Sequence, residues 1–331
     1  IEELYRKHPE EARDSFGEDP FEVKNILKYW VLSEKQEFHV IPTDTINIHI
    51  DKDALLRSGI MLPKTIRHLK GEDLKDAIPD KLYIPLTDIR MLTKVDLLML
   101  EMLANCNWER PLYLAISVGS VSKLKFDNYF VQEGLAFRFT PFDYKKWGDV
   151  GENRLYAVDV ERLYDNVMNR YKYGGLDTPG LYLDETTLRT CWYHRRLFAQ
   201  LAKELIAQGD NERAKKVLAY AEQVIPGYNV PETHESGSYD IATAYAALGE
   251  KTKAVTLAVH LIAEAEDYIN WAFSLKGNRI EMVRNDCIYK FWQWNQYNEL
   301  LKKIDGEKYK ESNRQFEEKY ALFAPTMNYK N

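Results

Sequence analysis

The chain has 331 residues, enough for two or three domains, and its 45% hydrophobic and 29% charged content is that of a globular protein rather than a disordered one. Its net charge of −6 argues against a nucleic-acid partner, which needs a basic patch, and both signs are spread along the chain. No apolar run is long enough to span a bilayer. The chain begins at Ile1 without a signal-peptide pattern, so we expect it to be a piece of a longer protein.

The first part of the chain, residues 1–176, is expected to be an α/β domain that opens with a helical segment. Apolar residues at helical spacing predict helix up to about Gln36. A strand is predicted from Phe38 to Ile50, because Ile46, Ile48 and Ile50 alternate with Asn47 and His49, which is typical of a half-buried strand. A second short strand is predicted over 81–86, and its Pro85 favours a sheet edge or a strand end.

A helix is predicted to begin after Thr93, which can form a capping box with Asp96. Its apolar side is expected to consist of Val95, Leu98, Met99, Met102 and Leu103. The run 112–118 then predicts a buried strand, and a helix followed by a buried strand indicates an α/β layer. Residues 129–133 predict a short helix, and 135–139 a strand.

The second part, residues 177–331, carries a helical-repeat pattern. Two units with tetratricopeptide-like spacing are formed by Ala202, Leu205, Gly209, Ala214, Leu218, Ala221 and Pro226, and by Ala242, Tyr245, Gly249, Ala254 and Leu261. A third, atypical helix pair is expected from about Asn278 to Lys303 and over 307–323, as a cap. The alternative is an unrelated helical bundle with alanine at its helix crossings. The predicted fold class is therefore α+β, a small mixed sheet domain followed by an all-α repeat array of about three helix pairs.

Four residues of the repeats are candidates for a partner-binding groove. Repeat arrays present a concave surface to partners. Arg196, Lys203, Tyr239 and Thr243 occupy positions that face the groove in such repeats. They could receive an acidic or C-terminal peptide segment. The alternative is that the charges among them are simply solvated.

The sequence offers no convincing catalytic or metal site. It contains no GxSxG, HExxH or P-loop motif, and its three cysteines, at positions 106, 191 and 287, are far apart. His39 and His49 could face each other across a hairpin, but no third metal ligand accompanies them. We therefore assign no catalytic residue and expect no cofactor and no metal.

Several short motifs together resemble a known family. They are NWERPLY (107–113), YFVQEGLAFR (129–138), GGL (174–176), PGLYLDE (179–185) and YNVP (228–231). In this order they resemble the soluble C-terminal region of the DUF2723 membrane proteins of Bacteroidetes, which are related to protein O-mannosyltransferase-like glycosyltransferases. The resemblance covers about residue 38 onward.

The resemblance implies a location and a partner. It implies a chain on the extracytoplasmic, periplasmic face of the cytoplasmic membrane, anchored by an N-terminal membrane domain of the same polypeptide. It also implies that the catalytic residues lie in that membrane domain, so that the full-length protein is a possible glycosyltransferase while this chain is non-catalytic.

Three functions remain open from the sequence. The repeats could bind or position a protein partner or acceptor. The α/β part could be a structural platform on the membrane domain, with the repeats as a spacer, and an exposed apolar patch there would favour this function. The α/β part could also be a self-contained enzyme, for which a polar pocket is a requirement.

Overall fold

The computed structural model describes residues 1–35, 39–118, 124, 126–151, 156–275 and 279–327, the last two without their side chains. The predicted end of the first helical segment at Gln36, the strand start at Phe38 and the helix start at Asn278 lie outside the described residues. The chain forms two compact units, Ile1–Asp159 and Val160–Asn331, which we call unit 1 and unit 2. Unit 1 combines helices with small sheets and unit 2 is helical, so the α+β prediction is confirmed.

The described residues of unit 1 form six α-helices and a two-stranded sheet. The helices are α1 (Glu2–Lys7), α2 (Pro9–Phe16), α3 (Val23–Ile26), α4 (Lys52–Arg57), α5 (Gly71–Ala77) and α6 (Lys94–Asn105). Strands β1 (Thr45–His49) and β2 (Lys81–Pro85) pair antiparallel, with Ile46 opposite Ile84. The strand predicted over 81–86 is confirmed, whereas of the described residues 39–50 only 45–49 form a strand. Asn47 is buried instead of facing solvent, because Glu22 forms a bridge to it and the carbonyl of Phe21 accepts its backbone N–H.

A second, four-stranded sheet is mixed. Its strands are β3 (Tyr113–Ala115), β4 (Phe130–Gln132), β5 (Ala136–Phe139) and β6 (Ala157–Val158), in the order β3-β5-β4-β6. Only β4 and β6 run parallel.

Two sequence predictions in this sheet were wrong. The run 112–118 forms only the short edge strand β3, and this strand is not buried, since Tyr113 and Ala115 are exposed on one face of the sheet and Leu114 is only half-buried. Residues 129–133 mostly form strand β4, preceded by a single 3-10 turn over Asp127–Tyr129. Pairing with β5 overrides the local helical preference, because Phe130 and Val131 lie opposite Phe139 and Arg138.

Helix α6 has the predicted cap but a different buried face. The hydroxyl of Thr93 accepts the Asp96 N–H, and the Asp96 carboxylate accepts the Thr93 N–H at 2.7 Å, which confirms the capping box. The buried apolar side chains are Leu100, Leu103 and Ala104. From the predicted apolar side, Val95, Leu98 and Met102 are 46%, 56% and 50% exposed. The face of α6 that packs against the core is therefore the one that contains Asp96, the capping carboxylate.

In its described residues, unit 2 contains three helix pairs, a short helix before the first pair and another short helix between the second and the third. Its helices are α7 (Val160–Asp165), α8 (Glu185–Ala207), α9 (Asn211–Val224), α10 (Ser238–Ala247), α11 (Lys251–Ser274), α12 (Arg279–Met282), α13 (Arg284–Ile304) and α14 (Gly306–Met327). The pairs α8–α9, α10–α11 and α13–α14 match the three predicted pairs. Ala202, Ala214 and Ala254 are completely buried where the helices approach one another.

The division between the units falls earlier than the predicted boundary at 176/177. The segment from Val160 onward belongs to unit 2 because it packs on the first helix pair. The Arg213 guanidinium donates to both carboxylate oxygens of Glu161, at 2.7 and 2.8 Å. The Tyr173 ring lies 5.5 Å from that of Phe198. The two glycines at 174 and 175 form a turn within unit 2.

Candidate functional site

A buried guanidinium holds the segment that connects α9 to α10. Arg195, on α8, is only 3% exposed. Its Nη1 donates to the carbonyl of Pro231 at 2.7 Å and to the hydroxyl of Ser236 at 3.1 Å. Its Nη2 donates to the carbonyls of Ile225 and Val230, at 3.1 and 2.5 Å. One side chain thereby satisfies the carbonyl of Ile225, the C-cap residue of α9, and two carbonyls of the connection, which could not pair within a helix.

All four acceptors of the Arg195 guanidinium are neutral. Within the described part of the chain no carboxylate lies within ion-pair distance of it. Burial lowers the pKa of Arg195 to about 10, and the negative charge of Glu232 opposes that lowering. The group therefore stays protonated near neutral pH, and it is a buried positive charge with no contacting counter-ion among the described residues of unit 2.

Arg195 lines a cavity of about 320 Å³ between α9, α10 and α11, which we call the α9–α11 cavity. This volume is at the lower end of the range for ligand-binding pockets. The apolar lining consists of Leu218, Ala221, Ile225, Ile241 and Leu257. The polar lining consists of Arg195, Glu222, Glu232, Tyr245, Thr252, Lys253, Thr256 and His260. The cavity thus combines an apolar surface with charges of both signs.

One acid of the cavity is already neutralised. The Lys253 ammonium lies 2.9 Å from the Glu222 carboxylate, and the Tyr245 hydroxyl donates to the same carboxylate at 2.6 Å. Burial and this hydrogen bond raise the pKa of Tyr245. Glu232, by contrast, makes no ion pair with any residue that the structure describes. Arg195 and Glu232 are therefore the two charges of the cavity that lack a contacting partner of opposite sign.

The four groove residues proposed from sequence lie outside this cavity. Arg196 is exposed, and its guanidinium donates to the Glu235 carbonyl, from Nε at 2.6 Å and also from Nη2. Lys203 is exposed on α8 and has no hydrogen-bond or ion-pair partner among the described side chains. The two cations of the predicted groove therefore differ in their contacts, since Arg196 is hydrogen-bonded to the α9–α10 connection and Lys203 is exposed to solvent.

Tyr239 and Thr243 lie on α10 and also make contacts within the chain. The Thr243 hydroxyl donates to the Asp240 carbonyl at 2.8 Å, a bond within its own helix. The Tyr239 hydroxyl approaches the Gln296 carbonyl at 3.4 Å, on α13. Tyr239 therefore contacts α13 and does not form a common site with Lys203. Partner binding by the four residues stays a prediction.

An aromatic cluster surrounds His234, next to Tyr239. The imidazole stacks on the Tyr239 ring at 5.8 Å between ring centroids and meets the ring of Trp292 edge-on at 5.7 Å. A hydrogen bond of 2.8 Å joins its Nδ1 to the Tyr297 hydroxyl. Burial lowers the pKa of His234, so the ring is neutral at pH 7. This cluster ties the connection before α10 to α13.

Arg195 was not predicted as a functional residue. A signal for it exists in the sequence, because Cys191, Arg195, Phe198 and Ala202 recur at helical spacing and are all buried on one face of α8. A cation on an otherwise apolar helix face needs acceptors or a counter-ion from elsewhere in the fold. The connection that supplies them lies more than thirty positions along the chain (roughly one repeat), which periodicity alone does not reveal.

Unit 1 contains a separate polar cavity of about 620 Å³. Its lining includes the ion pairs Lys52–Asp80 and Lys75–Asp53, both at 2.7 Å. The rest of its polar lining is Glu22, Lys24, His49, Asp51, Glu72, Asp76, Asn107 and Glu109. Among the described residues no group of three or more His, Cys, Asp or Glu side chains could hold a metal ion. The cavity therefore meets the requirement for a polar pocket that the enzyme hypothesis set for unit 1.

Comparison with known families gives one match, which is confined to the first part of the chain. Residues 5–161, just under half of the chain, match the family described as TMEM260-associated domain 2. The matched residues coincide closely with unit 1 and leave the helix pairs of unit 2 outside. No curated protein and no solved structure matches the chain. No helix in the described parts of the chain is both long and apolar enough to cross a membrane.

The match corrects the resemblance inferred from short motifs. The expected family was DUF2723 from about residue 38 onward, whereas the family found is a different one and begins at residue 5. The motifs over 107–113 and 129–138 lie within the match, and those over 174–176, 179–185 and 228–231 lie outside it. In unit 1 the first motif is a turn that ends at the first residue of β3, and the second covers β4 and most of β5, so both reflect a sheet and its turns. Unit 1 is thus similar to TMEM260-associated domain 2, and the assignment to DUF2723 was wrong.

Proposed function

We propose that this chain is a non-catalytic binding protein whose unit 2 captures a peptide segment of a partner. The observation that supports this most is the α9–α11 cavity, which offers an apolar surface and unpaired charges within an array of helix pairs. Thr252, Thr256 and His260 are exposed at its rim, so the cavity is open to a ligand. The glycosyltransferase-like setting depended on the DUF2723 resemblance and is no longer part of the proposal.

A display screen tests the binding function. The full 331-residue chain is immobilised and presented with a random peptide library, and enriched peptides are measured against two variants. Thr256→Trp fills the cavity rim, whereas Val259→Trp changes an exposed position on the same helix that does not line the cavity. We expect enriched peptides to bind the wild type and Val259→Trp equally and Thr256→Trp at least tenfold more weakly. Failure to enrich any peptide, or equal loss with both variants, would contradict the proposal.

A platform role for unit 1 is the second candidate, supported by the exposed face of α6. Val95, Leu98 and Met102 recur at helical spacing and are about half exposed, and Met91 just before the helix is 69% exposed. A row of exposed apolar side chains marks a contact surface more often than a solvated one. The matched family is described as associated with TMEM260, which suits a domain that accompanies another polypeptide region. The proposed partner is a membrane domain of the same polypeptide.

Cross-linking tests the platform role. In the full-length gene product, a photo-reactive residue at Leu98 should cross-link to a region outside residues 1–331, and one at Tyr83, which is 60% exposed on β2 of the same unit, should not. Cross-links at neither position, or at both, would contradict it.

Location on the extracytoplasmic face of a membrane also remains a proposal. It predicts that added protease degrades this chain in source cells from which any outer envelope has been removed and whose cytoplasmic membrane is intact. Degradation only after the membrane is permeabilised would overturn it.

A further inference from the structure

We propose that the α9–α11 cavity binds the C-terminal residue of a partner peptide, with the terminal carboxylate at Arg195 and an apolar side chain on the cavity floor. The proposal rests on the peptide-binding function of unit 2 and names the chemistry that this site selects. It differs from the groove formed by Arg196, Lys203, Tyr239 and Thr243, none of which lines the cavity.

The charge on Arg195 gives the first argument. Its two Nη atoms are used by three carbonyls and one hydroxyl, all uncharged. Its Nε–H has no acceptor within the described part of the chain. A buried cation is stabilised most by a carboxylate that also accepts hydrogen bonds from it. An anionic ligand therefore completes an arrangement that the chain itself leaves without a contacting counter-ion.

The apolar floor gives the second argument. Leu218, Ile225 and Leu257 line the same cavity as Arg195 and are almost fully buried. In a C-terminal residue the carboxylate and the side chain branch from one Cα, so both can enter a single small cavity. An aspartate or glutamate inside a peptide carries no apolar group beside its carboxylate. The neighbouring cation and apolar floor therefore favour a free C-terminus with an apolar last residue.

Replacing either of two other charged residues of the cavity, Lys253 and Glu232, is expected to change the affinity for the ligand in opposite directions. Lys253 neutralises Glu222, so Lys253→Gln leaves the Glu222 charge facing the ligand. Glu232 lines the cavity without an ion pair and repels an incoming carboxylate, so Glu232→Gln removes that repulsion. Both positions are at least partly exposed, and we expect changes in affinity of about threefold in each case, weaker for Lys253→Gln and tighter for Glu232→Gln.

The test compares matched acids and amides on the full chain. The probes are N-acetyl-leucine against N-acetyl-leucinamide, and acetyl-Ala-Ala-Leu with a free against an amidated C-terminus. Affinities come from calorimetry, and the Arg195 Nε–H signal is followed by NMR. We expect both acids to bind at least tenfold more tightly than their amides and to shift that signal. Thr256→Trp should abolish binding of both acids, and Val259→Trp should leave it unchanged.

Several outcomes would overturn the proposal. One is equal binding of acid and amide, and another is weaker binding by Glu232→Gln. A third is binding of N-acetyl-leucine without any binding of the tripeptide acid, which would indicate that the ligand of the cavity is a small-molecule acid and not a peptide. If display yields peptides that bind unit 2 with amidated ends, the peptide-binding function stands and only the C-terminal specificity fails. If no peptide and no acid binds, both fail.

Discussion

At the scale of single residues, two side chains organise the connection between α9 and α10 from opposite sides. Arg195 binds its carbonyls from within α8, and His234 packs its ring among aromatic side chains next to α13. A segment without helix or strand pairing must find partners for its backbone groups elsewhere. In unit 2 these two residues supply much of that support.

Replacing Arg195 should destabilise the protein far more than replacing its neighbour. Arg195→Met leaves the buried carbonyls of Ile225 and Val230 and the part-buried carbonyl of Pro231 without their donor, and we expect the free energy of unfolding to fall by about 3 kcal/mol. Arg196→Met removes an exposed side chain and should cost no more than about 1 kcal/mol. Urea unfolding of both variants measures the difference. Equal losses would mean that Arg195 does not hold the connection.

The buried imidazole of His234 should make stability depend on pH. Burial lowers its pKa below 6.5 in the folded protein, so the unfolded state binds more protons as the pH falls through 6.5. The folded state therefore loses stability from about pH 6.5 down to the lowered folded pKa. Between pH 7.5 and 5.5 the free energy of unfolding should fall less in His234→Gln than in the wild type. The same slope in both proteins would show that His234 does not contribute.

At the scale of elements, helix ends and pairs follow from the sequence better than strands do. Gly209 and Gly249 end helices with φ of 81° and 79°, as the repeat pattern predicts. The buried alanines likewise follow from the spacing. Strand β4 and the buried face of α6 do not, because pairing partners and the direction of the core are set by distant segments.

Two glycines of unit 2 provide a matched test of the loop geometry. Gly237 precedes α10 with φ of 84°, and an added Cβ would lie 2.9 Å from Cγ and 3.3 Å from Cα of Arg196. Gly249 has a similar φ, but no atom lies within 4 Å of the added Cβ. Gly249→Ala should therefore lose only the cost of a left-handed alanine, about 1 kcal/mol. Gly237→Ala should lose clearly more, as thermal or urea unfolding will show, and equal losses would contradict the close approach to α8.

At the scale of the whole molecule, the sequence predicts two parts but not the cavity. The α+β class and the three helix pairs follow from composition and periodicity, whereas the division at Asp159 depends on how 160–178 packs. The cavity combines Arg195, Glu232 and Lys253 from α8, a connection and α11. Residues from three separate segments meet there only once the helices have stacked, so repeat spacing pointed to the exposed groove positions instead.

The central claim is that unit 2 captures a partner segment in the α9–α11 cavity. Hydrogen–deuterium exchange of the full chain, with and without a peptide obtained by display, tests this most directly. We expect bound peptide to slow exchange in the α9–α10 connection and in the first half of α11, with no change in unit 1. Slowed exchange confined to residues 5–118, or no change anywhere at saturating peptide, would contradict the claim.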